Sequence, residues 1–520
     1  MMLFHSLSKV KLFSVYGLIL RHYSVSSKNI STIFALSSGW GKCGVAVVRV
    51  SGPDAANVFK KFSGYKLLPE ARKANLRRIR DPLTNEVLDQ GLVLWFPGPK
   101  SFTGEDSCEF HIHGSTAVIS SMLATLGRFP NLRLAEPGEF TRRAFYAGKL
   151  DLTAVEGMND LINAETEFQR KQALLQLEGS LFHTYNEWKN ILIKCLSDIE
   201  AFIDFSEDQD IGNDVLEKAK QTVLELKNKM KKHVQDGKRG ERLRNGVNMA
   251  ILGVPNVGKS SLLNKICRRP AAIVSPLAGT TRDLIRIDLD LGGYPVVLID
   301  TAGIRTDTKD LVEVEGVNRA MKAASDADLI LLVLDSVHFN HWFSTEIKCF
   351  NTCNNDEFSR LLINYIKEIH LNDEVLELDD FSSNDITHLN RFLIVFNKID
   401  LLQPSQLKLL TEISRDSAVR ISCETEVGME NLIEKLTSCV SSLCAQPSID
   451  SPCYTQIRHK LCLLECLSSL ESFLNFKEES EVDLASHCLR MALNSLGKIT
   501  GHVSTEQILD EIFESFCIGK

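Results

Sequence analysis

No uninterrupted apolar run in this 520-residue chain is long enough to cross a bilayer, which takes about 20 residues as a helix, so several soluble domains are expected rather than a membrane protein. No acidic residue precedes Asp54. The 14 cysteines show no paired spacing of the kind that holds zinc, which speaks against a structural metal site and suits a compartment that keeps thiols reduced. An excess of basic charge is also missing: the net charge is −8, which argues against indiscriminate binding to polyanions and leaves room only for a local basic patch.

The residues present are as selective. Before Ile30 the chain carries Lys9, Lys11, Arg21 and Lys28 among serines and apolar residues. That is the composition of a mitochondrial transit peptide, with Arg21-His22-Tyr23-Ser24 similar to a processing site and a disordered cytosolic tail as the alternative. A matrix protein is therefore expected, with residues 1–30 as the leader. From about residue 31 to 149, short apolar runs such as Val45-Ala46-Val47-Val48 alternate with turns and read as an α+β domain. From 150 to about 204 apolar residues recur at helical spacing without proline, and the same spacing returns from Tyr454 to the end. Two helical stretches, 150–245 and 447–520, flank a nucleotide-binding stretch, 246–446. Two half-bundles can bury their apolar faces on each other, so the middle domain is expected to be inserted into one helical domain. Residues 338–389 read as a surface insertion in that middle domain, polar, acidic and irregular.

The chemistry centres on Gly253–Ser260, GVPNVGKS, which fits the phosphate-loop pattern G-x-x-x-x-G-K-[ST]. A strand-like run, Val247–Leu252, precedes it and a helix-competent one follows, as the mechanism requires. Backbone amides at the glycines face phosphate oxygens, Lys259 reaches the β and γ phosphates, and the Ser260 hydroxyl can ligate magnesium. Three further segments sit at the ends of apolar runs. Asp300-Thr301-Ala302-Gly303 follows Val296–Ile299 and can hold the magnesium shell. Asn397-Lys398-Ile399-Asp400 follows Phe392–Phe396, and the Asp400 carboxylate can accept from the two N–H donors of guanine, a pair that adenine lacks. Ser422-Cys423-Glu424 takes the place of a last base-contacting loop. Ser275–Asp283 reads as a switch segment whose Thr281 completes the magnesium shell. GTP is thus expected to contact Asn256, Val257, Gly258, Lys259, Ser260 and Ser261 of the loop, Thr280 and Thr281 of the switch, Asp300 to Gly303, Asn397, Lys398 and Asp400, and Ser422 with Cys423. Where Ras-type enzymes place a water-orienting glutamine after the Asp-x-x-Gly segment, this chain has Ile304, so some other polar group must take that part, and the acids of the stretch Asp310–Gly316 are candidates, with a solvated helix face as the alternative for each. A basic run from Lys227 to Arg244 reads either as a solvated helix and linker or as a nucleic-acid contact.

Over nearly the whole chain after the leader, these segments resemble the MnmE (TrmE) tRNA-modification GTPases, in particular their mitochondrial members. The most specific pieces are Lys100-Ser101-Phe102-Thr103-Gly104-Glu105-Asp106, Pro137-Gly138-Glu139-Phe140-Thr141, Lys149-Leu150-Asp151-Leu152 and the terminal Phe516-Cys517-Ile518-Gly519-Lys520. The resemblance implies a multidomain fold: a folate-binding-like α+β domain, a helical domain, and a P-loop α/β domain inserted into it. It implies a homodimer joined through the N-terminal domain, an FAD-dependent MnmG-type partner, and mitochondrial tRNA as substrate. Arg49, Glu109, Lys149 and Lys520 match the residues around a 5-formyltetrahydrofolate-type ligand, with Cys517 as a nucleophile or pocket wall. Asn256, Ser275, Leu277 and Thr280 match potassium ligands, and Glu313 matches the water-orienting glutamate, with Glu315 as the alternative because this chain is one residue longer there. Trp40–Gly44 departs from the family's arginine- and glycine-rich turn. A reading of another class, a regulatory or ribosome-assembly GTPase that binds rRNA, would call for a terminal RNA-binding module where this chain has a helical run and Cys-Ile-Gly-Lys.

Overall fold

A computed structural model describes residues 31–205, 214–268, 286–299, 326–346, 355–369, 391–414, 418–448, 452–476, 482–503 and 506–520. The expected leader, 1–30, lies outside them. The chain divides into two compact units, one of residues up to 151 joined by the C-terminal residues from 506, the other running from 152 to 503.

The first unit is built on a six-stranded sheet. Its chain order is β1 (Thr32–Leu36), β2 (Cys43–Ser51), α1 (Ala55–Ser63), β3 (Asn75–Arg80), β4 (Val87–Phe96), β5 (Ser107–Gly114), α2 (Thr116–Gly127), β6 (Leu132–Leu134) and α3 (Glu139–Tyr146). The strands lie in the order β3-β4-β5-β2-β1-β6, all antiparallel except β1 with β6. Strand alternation explains the layering: Val48 and Val50 of β2 and Cys108, Phe110 and Ile112 of β5 bury against Val58, Phe59 and Phe62 of α1 and Ile119 and Met122 of α2. Arg49, Glu109 and His111 occupy the alternate positions and share the other face. Helix α2 begins where the Ser115 hydroxyl accepts from the Val118 amide at 3.2 Å.

In the second unit α4 (Leu152–Ile162), α5 (Glu167–Leu177), α6 (Ser180–Phe205) and α7 (Asp214–Asn245) lead into the nucleotide-binding sheet. That part runs β7 (Val247–Leu252), α8 (Lys259–Cys267), β8 (Arg286–Leu291), β9 (Tyr294–Ile299), β10 (Leu329–Asp335), α9 (Ser336–Glu346), α10 (Asn355–Glu368), β11 (Phe392–Asn397), α11 (Pro404–Ser414), β12 (Ala418–Arg420) and α12 (Met429–Leu443). The strand order is β12-β11-β10-β7-β9-β8, parallel throughout except the β8–β9 hairpin. Continuous apolar strands such as Leu329–Leu334 are what a sheet covered on both faces demands.

Helices α13 (Ile457–Leu474) and α14 (Val482–Thr500) then return to α6 and α7, and the four share one core that includes Tyr185, Leu192, Val223, Met230, Leu463, Leu467, Leu489 and Leu496. The sheet is therefore inserted into a helical domain, as the spacing predicts. A buried polar link joins the two halves: Glu156 of α4 accepts from Arg458 Nε at 2.9 Å and lies 2.7 Å from His459 Nε2. Burial alone would raise the Glu156 carboxyl, but Arg458 and His459 outweigh it and bring it to about 2. The β8–β9 turn docks on the same domain, with Phe168 of α5 stacked on Tyr294 at a centroid distance of 4.2 Å. Among the described residues no helix is long and apolar enough to cross a membrane.

Three readings change. Residues 338–346 and 355–368 of the expected surface insertion are the helices α9 and α10, whose Phe339, Trp342, Phe343, Phe358, Leu362, Tyr365 and Ile366 pack into the core beside the sheet. Helical spacing of aromatics within a polar composition carried that signal; residues 370–390 lie outside the described ones. The stretch 447–520 is not one helical piece, because its last helix, α15 (Glu506–Glu514), belongs to the first unit. Phe513 and Phe516 bury there, each worth about 1.5–3 kcal/mol. The basic run is largely committed within the second unit: Lys227 and Lys231 reach Glu471 at 3.2 and 2.9 Å, Arg242 bonds Asp328 at 2.8 Å, and Arg244 bonds Asp160 at 2.7 Å.

Candidate functional site

The phosphate loop follows β7, a central strand between β10 and β9, at the carboxyl edge where parallel sheets of this kind bind ligands. Asn256 has a φ of 64° and Gly258 one of 99°, and α8 starts at Lys259 with Gly258 as its cap. The loop thus delivers backbone amides at a helix N-terminus, the arrangement that favours an anion. Lys259 Nζ donates to the carbonyls of Gly253 at 2.7 Å and Val254 at 2.9 Å, so the ammonium is held across the loop. Val257 is buried, and Asn256, Ser260 and Ser261 are exposed.

Asn397, at the end of β11, ties the base segment to this loop. Its Nδ2 donates to the Val257 carbonyl at 2.8 Å, and its Oδ1 accepts from the Cys423 amide at 3.1 Å. One buried carboxamide therefore fixes three segments that are far apart in sequence. Gly258 is the residue this contact requires, since a Cβ there would come within 2.2 Å of Asn397 Nδ2. Lys398, in the left-handed region at φ 66°, bonds Asp335 Oδ2 at 2.7 Å. Burial would raise the Asp335 carboxyl, but the Lys398 ammonium and the amides of His338 and Val337 hold it below the usual carboxylate range. Sequence reading missed Asp335, although it ends the apolar strand β10. Asp400 is exposed on the short turn that follows. Ser422 is buried, its hydroxyl accepting from the Thr425 amide at 3.1 Å, and burial pushes the Cys423 thiol up. Ser275, Leu277, Thr280, Thr281, Asp300, Thr301, Ala302, Gly303, Glu313 and Glu315 lie outside the described residues.

A second cluster forms in the first unit. Arg49 Nε donates to Glu109 Oε1 at 3.0 Å, and the guanidinium lies over the rings of Phe102 and Phe140, 5.1 and 5.7 Å from their centroids. The C-terminal tail reaches this place by a sequence-distant route. Pro137 bridges Ile518, the Ser37 hydroxyl donates to the Gly519 carbonyl at 2.9 Å, and Arg142 bonds Asp510 at 2.8 Å. Gly519 has a φ of 101°, and a Cβ on it would stand 2.0 Å from the Leu36 carbonyl oxygen. Lys520 ends up half-buried; burial first, then Arg49, lowers its ammonium below the usual lysine range, while Glu109 and Cys517 act the other way. The structure thus groups Arg49, Glu109, Lys520 and the exposed Cys517. Lys149 is exposed after α3, with its amide donating to the Ala144 carbonyl at 3.0 Å and its side chain running beside Gly104. Two cations around one carboxylate suit a ligand that carries both acid groups and ring N–H donors. Sequence reading missed His111, whose Nε2 lies 3.2 Å from Glu109 Oε2; the signal available was its place two residues after Glu109 on the same strand face.

Comparison with known proteins places both parts. Residues 32–149 match the family model described as the GTP-binding protein TrmE N-terminus, and residues 152–517 match the one described as the MnmE helical domain. The chain is 49% identical over 494 residues to a mitochondrial 5-taurinomethyluridine tRNA synthase subunit, GTPB3, of Danio rerio, covering 94% of this chain and 93% of that protein. It is 44% identical over 490 residues to the Homo sapiens protein of the same name, again covering 94% and 93%. It is 39% identical over 493 residues to the tRNA modification GTPase MnmE of Rickettsia prowazekii, covering 94% of this chain and all of that one. With its N-terminal and helical parts both matched and its relatives aligned almost end to end, the chain belongs to the MnmE (TrmE) family of tRNA modification GTPases.

Proposed function

We propose that this protein is a potassium-activated GTPase of the mitochondrial matrix that works as a homodimer with an FAD-dependent MnmG-type partner. Together they install an aminomethyl-type group at C5 of the wobble uridine of mitochondrial tRNAs, drawing one carbon from 5-formyltetrahydrofolate or a related tetrahydrofolate. The observation that carries the reading is the buried Asn397, which joins the phosphate loop to the base segment beside the exposed Asp400, in a chain of this family. GTP is bound by the phosphate loop, with Lys259 at the phosphates and Asp400 at the guanine edge. Ser260 and Thr281 would hold magnesium, which neutralises phosphate charge when bound. Asn256, exposed in its left-handed turn, offers a hard oxygen suited to potassium, with Ser275, Leu277 and Thr280 as the other ligands. That cation supplies positive charge beside the β and γ phosphates, where other GTPases use a partner's arginine. Glu313 orients the attacking water in place of a glutamine.

Arg49, Glu109, Lys149 and Lys520 are assigned to the folate, with the cations on its acid groups and Glu109 on the pterin ring. Cys517 is placed at the same ligand. The names of the Danio rerio and Homo sapiens relatives speak for taurine as the amine. GTP turnover measured in potassium and in sodium at matched ionic strength tests the cation: at least tenfold faster hydrolysis in potassium is expected, and equal rates overturn it. Mitochondrial tRNA from cells lacking the protein is expected to lose the C5 modification of its wobble uridine, and unchanged nucleoside analysis would overturn the wider role.

A further inference from the structure

Glu109 is held at both oxygens. Arg49 Nε takes Oε1 at 3.0 Å, and His111 Nε2 lies 3.2 Å from Oε2. The register of β5 puts His111 opposite Val47 of β2 and Leu92 of β4, so its ring stands between two aliphatic neighbours on the sheet face. A carboxylate is acceptor-only, so the ring nitrogen facing it carries the proton and donates. With one donor on each oxygen, the plane of the carboxylate is fixed, and each oxygen keeps a lone pair for another partner. A planar edge bearing two N–H donors is bound best by a carboxylate whose plane is already set, because free rotation would otherwise be lost on binding. Arg49 alone cannot do this, since a single bond to Oε1 leaves the group free to turn about it.

We propose that His111 is a positioning residue that orients Glu109 to receive the two-donor edge of the pterin. The inference rests on the assignment of the Arg49–Glu109–Lys520 cluster to a folate and adds to it a residue outside that assignment. His111 touches no ligand atom in this role; it acts through Glu109. Its neighbour two residues on, His113, does not share the role, because it is bonded to Asp89 of β4 at 2.9 Å.

The test is calorimetric titration of the full-length protein with 5-formyltetrahydrofolate for the wild type, His111→Ala, His111→Gln, Glu109→Gln and Arg49→Ala, with thermal unfolding of each. His111→Ala is expected to bind about 5- to 10-fold more weakly with an unchanged midpoint of unfolding. His111→Gln, whose amide can donate in the same place, is expected to return to within about 2-fold of wild type. Affinity unchanged in His111→Ala, or His111→Gln as weak as His111→Ala, overturns the proposal. The folate assignment fails separately: Glu109→Gln and Arg49→Ala binding as tightly as wild type, or no binding by the wild type, would remove it and His111's role with it.

Discussion

The two candidate sites are made in opposite ways. The phosphate loop comes from eight consecutive residues whose geometry follows from a strand running into a helix, and the Asn397 contact reaches it from across the sequence. The Arg49–Glu109–Lys520 cluster takes nothing from adjacent residues. Strands β2 and β5 supply the first two, and the last residue of the chain supplies the third after passing Leu36, Ser37 and Pro137. A local site survives wherever its flanking elements form, whereas an assembled one depends on every contact that carries its farthest member into place.

Removing one side chain should separate them most sharply. Lys259→Ala takes away the ammonium held across the phosphate loop, and a loss in GTP turnover on the order of 10²–10³-fold is expected by phosphate release, with folate affinity by calorimetry unchanged. A fall in folate affinity would show that the two sites are not separately built. The converse break is Gly519→Ala. A left-handed alanine costs about 1–3 kcal/mol, and its methyl would meet the Leu36 carbonyl oxygen. Folate binding should weaken about 10- to 100-fold while GTP turnover holds; undiminished binding would mean that the tail's path is dispensable.

The smallest effect is a pH dependence confined to the assembled site. Lys520 has its ammonium lowered by burial and by Arg49, so it loses its charge at a pH below the usual lysine value of 10.5. A depressed lysine is charged on the acid side and neutral on the alkaline side, so its attraction for an acidic ligand is present near neutrality and lost as pH rises. Several-fold weaker folate binding on alkaline titration is expected in the wild type and absent in Lys520→Met. A dependence that persists in the variant would assign it to another group.

Much of the first site was legible because each segment announces itself by an apolar strand followed by a short polar motif. The same rule finds Asp335 at the end of Leu329–Leu334, where no motif marks the residue. Helices α9 and α10 read as irregular in the sequence because polar composition masks Phe339, Trp342, Phe343 and Tyr365, whose spacing places them on the sheet-facing side. Composition averages over a helix, while burial depends on one face of it. In the second site, Arg49, Glu109, Lys149 and Lys520 came from resemblance. His111 had no motif to mark it, since its part depends on which oxygen of Glu109 is left by Arg49.

The sequence by itself determined the phosphate loop, the strand-end position of the Asn397 segment and the interruption of a helical domain by a nucleotide-binding sheet. Hydrophobic periodicity and turn chemistry act over a few residues and can be read from them. The tertiary structure alone decided that the last fifteen residues leave the helical domain for the first unit, and that a terminal lysine comes within electrostatic reach of an arginine and a glutamate on neighbouring strands. Those outcomes follow from the burial of Phe513 and Phe516 and from the close approach of Gly519 to the Leu36 carbonyl, and no local pattern encodes where such a surface will be.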